Sequence, residues 1–240
     1  MEARVQRVLI WSGPLMMLMW VGAFVVLAGF LPPSDPKSSA QAIADMYIDN
    51  PVAIKLGLVI SMAGSALLVP FGAAISGQLK RIDGAKALAD TQMVSCALLS
   101  LEFITPIGVW MAVAFRADDR AADVTRAIHD LGWILFMTVI WSLWVQLVAI
   151  GAGVLLDRSA NPVLPRWYAY LSLWESLMIL PAGLVLFFKD GPFAWDGLFG
   201  IWVPLVTFAL WIGASVYCVH TALSRQIAEG SEPGRALEVR

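Results

Sequence analysis

Six long apolar runs constrain this chain more than any other feature of its sequence. Each is close to the roughly 20 residues that an α-helix needs to cross the hydrocarbon of a bilayer. Hydrophobic residues make up 59% of the chain and charged residues 14%, against about 25% charged residues in soluble domains. We therefore predict an all-α, polytopic integral membrane bundle of six transmembrane helices. The predicted spans are 8–31, 56–79, 92–115, 131–156, 167–188 and 197–222.

Short connections between these runs predict one transmembrane domain over residues 1–225. The polar segment that follows, 226–240, contains Gly and Pro and is predicted to be a flexible cytoplasmic tail. The first span is expected to be retained, because its apolar run is longer than the roughly 7–15 residues of a signal-peptide core. The loops and termini on the side of the membrane that holds the N-terminus carry ten Lys and Arg residues. Those on the opposite side carry six. This bias predicts that both termini are cytoplasmic.

Composition and motifs exclude several classes of function. A net charge of -2 with sparse basic residues argues against a nucleic-acid partner. The sequence has no phosphate-binding loop, dinucleotide fingerprint, HExxH or CxxC motif, so we expect no cofactor and no metal. His129 is expected to be a lone surface histidine at the edge of the fourth span. A metal shared between His129 and Asp130, Asp45 or Asp190 stays open as an alternative.

Two acids inside predicted spans are the most informative residues. A carboxylate at the centre of a bilayer costs about 2.5–3.5 kcal/mol or more, so Glu102 and Glu175 are candidate catalytic residues. At 1.5 Å per residue, both lie roughly 12–15 Å from the N-terminal side, and Gln146 on the fourth span falls at the same depth. We expect the three side chains to form one buried polar cluster. The alternative is that they are hydrogen-bonding contacts between helices, worth about 0.6–2 kcal/mol each.

Other residues within the spans suggest a binding pocket near these acids. Trp110, Trp144 and Trp174 lie well inside spans, where tryptophan either fills packing space or lines a cavity. We expect them to contact a substrate. Pro106 removes a helical hydrogen bond and frees the backbone carbonyl of Glu102, which would add polarity beside the carboxyl group.

The first long loop contains one short predicted helix. Ser38 or Ser39 is a plausible N-cap for the alanine-rich stretch that ends at Ile48. Ile43 and Tyr47 share a face of this helix, so we expect it to lie along the membrane surface.

Several loop motifs are similar to those of a known family. The segments SAQAIADMY, AFRADDR, HDLGW, PRWYAY and FFKDGPFAWDG together resemble a family of small six-helix bacterial membrane proteins of no established activity. The resemblance covers most of the chain. It implies a multi-pass protein of the bacterial plasma (inner) membrane and assigns no role to any residue.

Three functions fit the sequence. The first is a membrane-embedded acid/base enzyme, of isomerase or cyclase type, acting on a lipophilic terpenoid or steroid-like molecule. The second is a proton-coupled transporter of a small lipophilic solute, in which the same acids bind and release a proton. The third is a non-catalytic membrane subunit that packs against another complex. All three make the lipid bilayer a partner, and the first two add a lipophilic small molecule.

Overall fold

The computed structural model describes residues 2–138 and 140–229, and these ranges contain helices and no strand. The helices are α1 (Glu2–Leu9), α2 (Ser12–Trp20), α3 (Ala40–Asp49), α4 (Pro51–Ser65), α5 (Leu68–Leu79), α6 (Lys86–Phe115), α7 (Ala122–Thr138), α8 (Trp141–Leu155), α9 (Arg166–Met178) and α10 (Val203–Glu229). Three further segments have π-helical or 3-10 geometry and are described below.

Six helical stretches in the described residues are long and apolar enough to cross a membrane. Numbered as spans 1 to 6, they are Ala3–Leu27, Pro51–Leu79, Lys86–Phe115, Ala122–Leu155, Arg166–Phe187 and Leu198–Glu229. The predicted all-α architecture is confirmed, and the six apolar helical stretches among the described residues support a multi-pass membrane protein.

The helices extend beyond most of the predicted spans. Span 3 begins at Lys86 and span 4 at Ala122, because polar turns prolong a helix past its apolar run at little cost. The last helix continues to Glu229, so it includes the first four residues of the predicted tail. Residues 230–240 of that predicted tail lie outside the described residues.

Consecutive spans joined by short loops run antiparallel, which gives the bundle two distinct ends. Loops 28–39, 116–121 and 188–197 meet at one end, which we call the three-loop end. The N-terminus and loops 80–85 and 156–165 meet at the other, which we call the terminal end.

Helix α3 closes part of the three-loop end. Its N-cap is Ser39, whose side-chain oxygen accepts a hydrogen bond from the backbone N–H of Ala42 at 3.2 Å, so the predicted cap and helix are confirmed. That this helix lies along the membrane surface stays a prediction, but its apolar face packs on the protein. Ile43 and Tyr47 are buried and the helix packs on α7, because the bundle itself offers an apolar surface there.

The regular helices give way to other backbone geometry in the half of the bundle nearest the three-loop end. Span 1 becomes π-helical at Val21–Leu27, span 6 begins with a π-helical segment at Leu198–Trp202, and span 5 ends in a 3-10 helix at Leu180–Phe187. In span 4, Ile140 lies outside both α7 and α8. Irregular backbone at this depth is tolerated only where protein or a cavity covers it.

One glycine sets how closely spans 1 and 2 approach. A Cβ atom at Gly57 would lie 2.5 Å from the carbonyl oxygen of Ala23 and 2.8 Å from the backbone nitrogen of Ala28. The end of span 1 therefore rests directly on the backbone of span 2.

Substituting this glycine should loosen span 1. We expect Gly57→Ala to lower the free energy of unfolding by about 1–3 kcal/mol, the usual cost of overpacking a core. Gly213→Ala is the matched control, because nothing lies within 4 Å of the added Cβ. The control should lose no stability, since alanine favours the helix by up to about 1 kcal/mol. Equal unfolding curves in detergent micelles for the two variants would contradict this packing.

Candidate functional site

A cavity of about 340 Å³ lies between spans 1, 3, 4, 5 and 6, at the lower end of the range for ligand pockets. Glu102 supplies the sole ionisable side chain among the described residues that line it. The rest of the lining is apolar, and its largest side chains are methionines and aromatic residues. These are Met16, Met17, Trp20, Phe24, Phe103 and Phe136.

The irregular segments build this cavity. Phe24 comes from the π-helical part of span 1, Ile201 from that of span 6, and Ala182 from the 3-10 helix of span 5. Ile140 of span 4, which lies outside α7 and α8, also lines it. Departures from α-helical geometry widen the space between neighbouring helices, and π-helical turns are frequent at functional sites.

Glu102 is held by a neighbour that the sequence prediction missed. The Ser142 hydroxyl, on span 4, donates a short hydrogen bond to Oε2 of Glu102. Glu102 itself is half-buried, since part of its side chain faces the cavity. Ser142 lies four residues before Gln146, and this spacing puts both on one helix face. This four-residue spacing is visible in the sequence and could have indicated a polar face on span 4.

The three predicted catalytic residues do not form a hydrogen-bonded cluster. Gln146 and Glu175 are fully buried, neither lines the cavity, and their side-chain polar atoms have no hydrogen-bond partner in the described structure. The Cys96 thiol lies beside Gln146, but it donates to the carbonyl of Leu68 at 3.2 Å. Matched depth therefore did not lead to hydrogen bonds among the three groups, because depth does not fix the direction in which each side chain points.

Glu175 is isolated in the same way. The Thr207 hydroxyl lies beside its carboxyl group, but it donates to the carbonyl of Val203 at 2.9 Å. A buried polar group without a hydrogen bond costs about 1–3 kcal/mol. Burial of Glu175 therefore lowers the stability of the fold, and the residue does not line the cavity.

This isolation gives a stability prediction. Glu175→Leu should raise the free energy of unfolding by about 1–3 kcal/mol, because it removes an unpaired buried carboxyl group at similar volume. Glu175→Gln, which keeps the shape and a polar head, should change stability little. Chemical unfolding in micelles measures both. A loss of stability in Glu175→Leu would show that the carboxyl group has a partner.

None of the three predicted substrate-contacting tryptophans lines the cavity. Trp110 is fully buried near the three-loop end, Trp144 packs half-buried against the apolar core, and Trp174 is 41% exposed on the bundle surface. Adjacent residues on a helix point about 100° apart, so Trp174 faces outward while Glu175 faces inward. The cavity has Trp20 and phenylalanines in their place.

His129 is buried in a hydrogen-bond network, so the prediction of a lone surface histidine is wrong. Its Nε2 lies 3.0 Å from the Trp133 indole nitrogen and 2.8 Å from the Ser34 hydroxyl, and its Nδ1 lies 2.8 Å from the Tyr47 hydroxyl. An indole N–H can only donate, so Nε2 is the unprotonated nitrogen. Nδ1 then carries the proton and donates to Tyr47. Burial raises the pKa of Tyr47 well above its ordinary value, which keeps its hydroxyl neutral.

The same network joins the loops of the three-loop end, and we call it the histidine latch (Ser34, Tyr47, His129 and Trp133). Trp195 donates to the carbonyl oxygen of Ser34 at 2.7 Å, which ties loop 188–197 to loop 28–39. An exposed ion pair between Lys37 and Asp190 joins the same two loops, and the hydrogen bond to Asp190 raises the pKa of Lys37.

The histidine latch has the features of a structural network and not of a catalytic site. A serine hydroxyl within reach of a histidine resembles a nucleophile and its base. Here, however, the Nε2 lone pair also accepts from Trp133, so it is not free to take a proton from Ser34. The described residues also contain no group of three or more His, Cys, Asp or Glu side chains placed to hold a metal ion.

Comparisons of the chain with protein-family models, with curated proteins and with solved structures found no match. The resemblance of its loop motifs to a family of small bacterial membrane proteins therefore stays a prediction. The cavity and Glu102 are the features of the structure that indicate a function.

Proposed function

We propose that the protein binds a lipophilic small molecule in the cavity and exchanges a proton with it through Glu102, as an isomerase or cyclase does. The observation that carries this proposal is a 340 Å³ apolar cavity whose sole described ionisable lining group is one carboxyl group. Terpenoid and steroid-like molecules are the substrates that an apolar wall of this kind suits. The apolar wall supplies affinity through burial, and the carboxyl group supplies chemistry.

One carboxyl group is sufficient for such a reaction. The Glu102 carboxylate takes a proton from a carbon next to a carbonyl group, and returns it to another carbon of the same molecule. The bonding electrons shift along the conjugated system, and the carboxylate is regenerated. Ser142 donates to the carboxylate and so fixes its orientation during both transfers. Glu175 has no part in this scheme.

A carrier of polar solutes fits the structure less well. Such a carrier needs polar groups along a path to both faces of the membrane. The cavity lining offers Glu102 alone, between apolar residues on both sides along the bundle.

The location is a separate proposal, based on the family resemblance and on the charge distribution. We place the chain in the bacterial plasma membrane with the terminal end in the cytoplasm. The Lys and Arg bias toward that end supports this orientation.

Filling the cavity should abolish binding. Ala182 is 2% exposed and lines the cavity, so Ala182→Phe should place a ring in the space that the ligand needs. The control is Ala63→Phe on span 2, where the side chain is exposed and outside the cavity. The measurement is photolabelling by a diazirine-bearing long-chain alcohol, with the labelled peptides identified by mass spectrometry.

We expect labelled peptides from spans 3 and 4, around Phe103 and Phe136, in the wild-type protein and in Ala63→Phe. Labelling at these peptides should fall to background in Ala182→Phe. Equal labelling in both variants would refute the cavity as a binding site.

A further inference from the structure

Among the described residues, the exposed part of the cavity wall lies on one side of the bundle only. The lining residues that are more than a third exposed are Val21, Val206 and Ala209, at the edges of spans 1 and 6. Lining residues from spans 3, 4 and 5 are buried or half-buried. The opening therefore lies between the first and last spans, at a level where both are apolar.

Contacts between spans 1 and 6 explain this opening. The two spans meet at the terminal end, where the Arg7 side chain donates to His220 at 3.0 Å and Trp11 packs edge-on against His220. Farther along, the π-helical segment Val21–Leu27 packs on span 2 instead. The two spans thus separate as they leave the terminal end, and the gap faces the region that the bilayer would occupy.

The charges around the cavity restrict what can pass through this gap. No Lys, Arg or His is among the described lining residues, so an anionic head group would meet the Glu102 carboxyl without a compensating cation. A charged head group would also have to enter the hydrocarbon region to reach the gap, and an ion in hydrocarbon costs several kcal/mol. An uncharged hydroxyl head, which can donate a hydrogen bond to the Glu102 carboxylate, meets both conditions.

We propose that the ligand is an uncharged lipophile with a hydroxyl head group, and that it reaches Glu102 sideways from the bilayer, through the gap between spans 1 and 6. This inference rests on the proposed function and adds to it the route and the head group. The rim of the gap is formed by Val21, Val206 and Ala209, and the Glu102 carboxyl group receives the head.

The test uses the full chain in phosphatidylcholine vesicles that contain the photolabel. Three labels share one long chain and one diazirine, and differ only in carrying a hydroxyl, a carboxylate or a trimethylammonium head. The rim variant is Val21→Trp with Ala209→Trp, which narrows the gap. Its matched control is Val26→Trp with Leu210→Trp, on the same two spans but facing outward and outside the cavity.

We expect the alcohol to label the cavity peptides several-fold more than either charged label. Labelling should develop several-fold more slowly in the rim variant than in its control. A far-UV circular dichroism spectrum and an unfolding curve like those of the control show that the rim variant is folded.

The outcomes separate this inference from the proposed function. Equal rates in the rim variant and its control would overturn the sideways route, and equal labelling by all three heads would overturn the uncharged class. In both cases the cavity would still be a binding site. Absence of cavity labelling by every probe, in vesicles and in micelles, would instead overturn the proposed function and the inference with it.

Discussion

Glu102→Gln should lose proton exchange with the bound lipophile and still bind it. The amide keeps the shape of the side chain and a hydrogen-bonding head, but it cannot take up or release a proton. General acid–base groups contribute about 10²–10⁴-fold to rate, so we expect a loss of that size. The measurement is incorporation of deuterium from D₂O into the ligand recovered from purified protein, followed by mass spectrometry.

Two further variants make this test specific. Ser142→Ala removes the donor to the carboxylate and should slow exchange less than Glu102→Gln, because the proton carrier remains. Glu175→Gln should exchange at the wild-type rate, since that side chain does not line the cavity. If Glu102→Gln exchanges normally, Glu102 is a structural residue and the proposed chemistry is wrong.

His129→Ala should be among the most destabilising single changes in the chain. It leaves the hydroxyl of Tyr47 and the indole N–H of Trp133 buried without this partner. Each unsatisfied buried group costs about 1–3 kcal/mol. We therefore expect the free energy of unfolding to fall by several kcal/mol, and amide hydrogen exchange to rise first in loop 28–39.

His220→Ala is the matched control for this variant. His220 accepts one hydrogen bond from Arg7 at an exposed edge of the terminal end, so its loss should cost under about 1.5 kcal/mol, the upper range for a typical hydrogen bond. Chemical unfolding in micelles and hydrogen-exchange mass spectrometry give the two readouts. Similar losses in the two variants would show that the latch does not hold the three-loop end.

Hydropathy alone predicted most of the fold. An uninterrupted apolar run has few structural options in a bilayer, so six such runs indicate six helices. Glu102 was also visible from the sequence, because a single carboxyl group stands out in an apolar run. The direction of each side chain was not visible: Glu102 and Glu175 lie at matched depth on different helices and meet different neighbours.

The cavity and the latch depend on features that no local pattern marks. The π-helical segment reads VGAFVVL, and nothing in this uniformly apolar run distinguishes it from an ordinary span. His129 is joined to Ser34 across 95 residues and to Tyr47 across 82. These pairings arise only when the loops fold back over the bundle, so the sequence read segment by segment could not show them.

Phe24 belongs to the cavity wall and also packs against Phe30 in loop 28–39. Its ring lies 5.9 Å from that of Phe136 in the wall and 5.2 Å from that of Phe30, and Phe30 lies 6.1 Å from the His129 ring. Phe24 therefore connects ligand binding in the cavity with the order of loop 28–39. Thermodynamic linkage is reciprocal: by whatever factor ordered loops favour the ligand, the ligand favours ordered loops by the same factor.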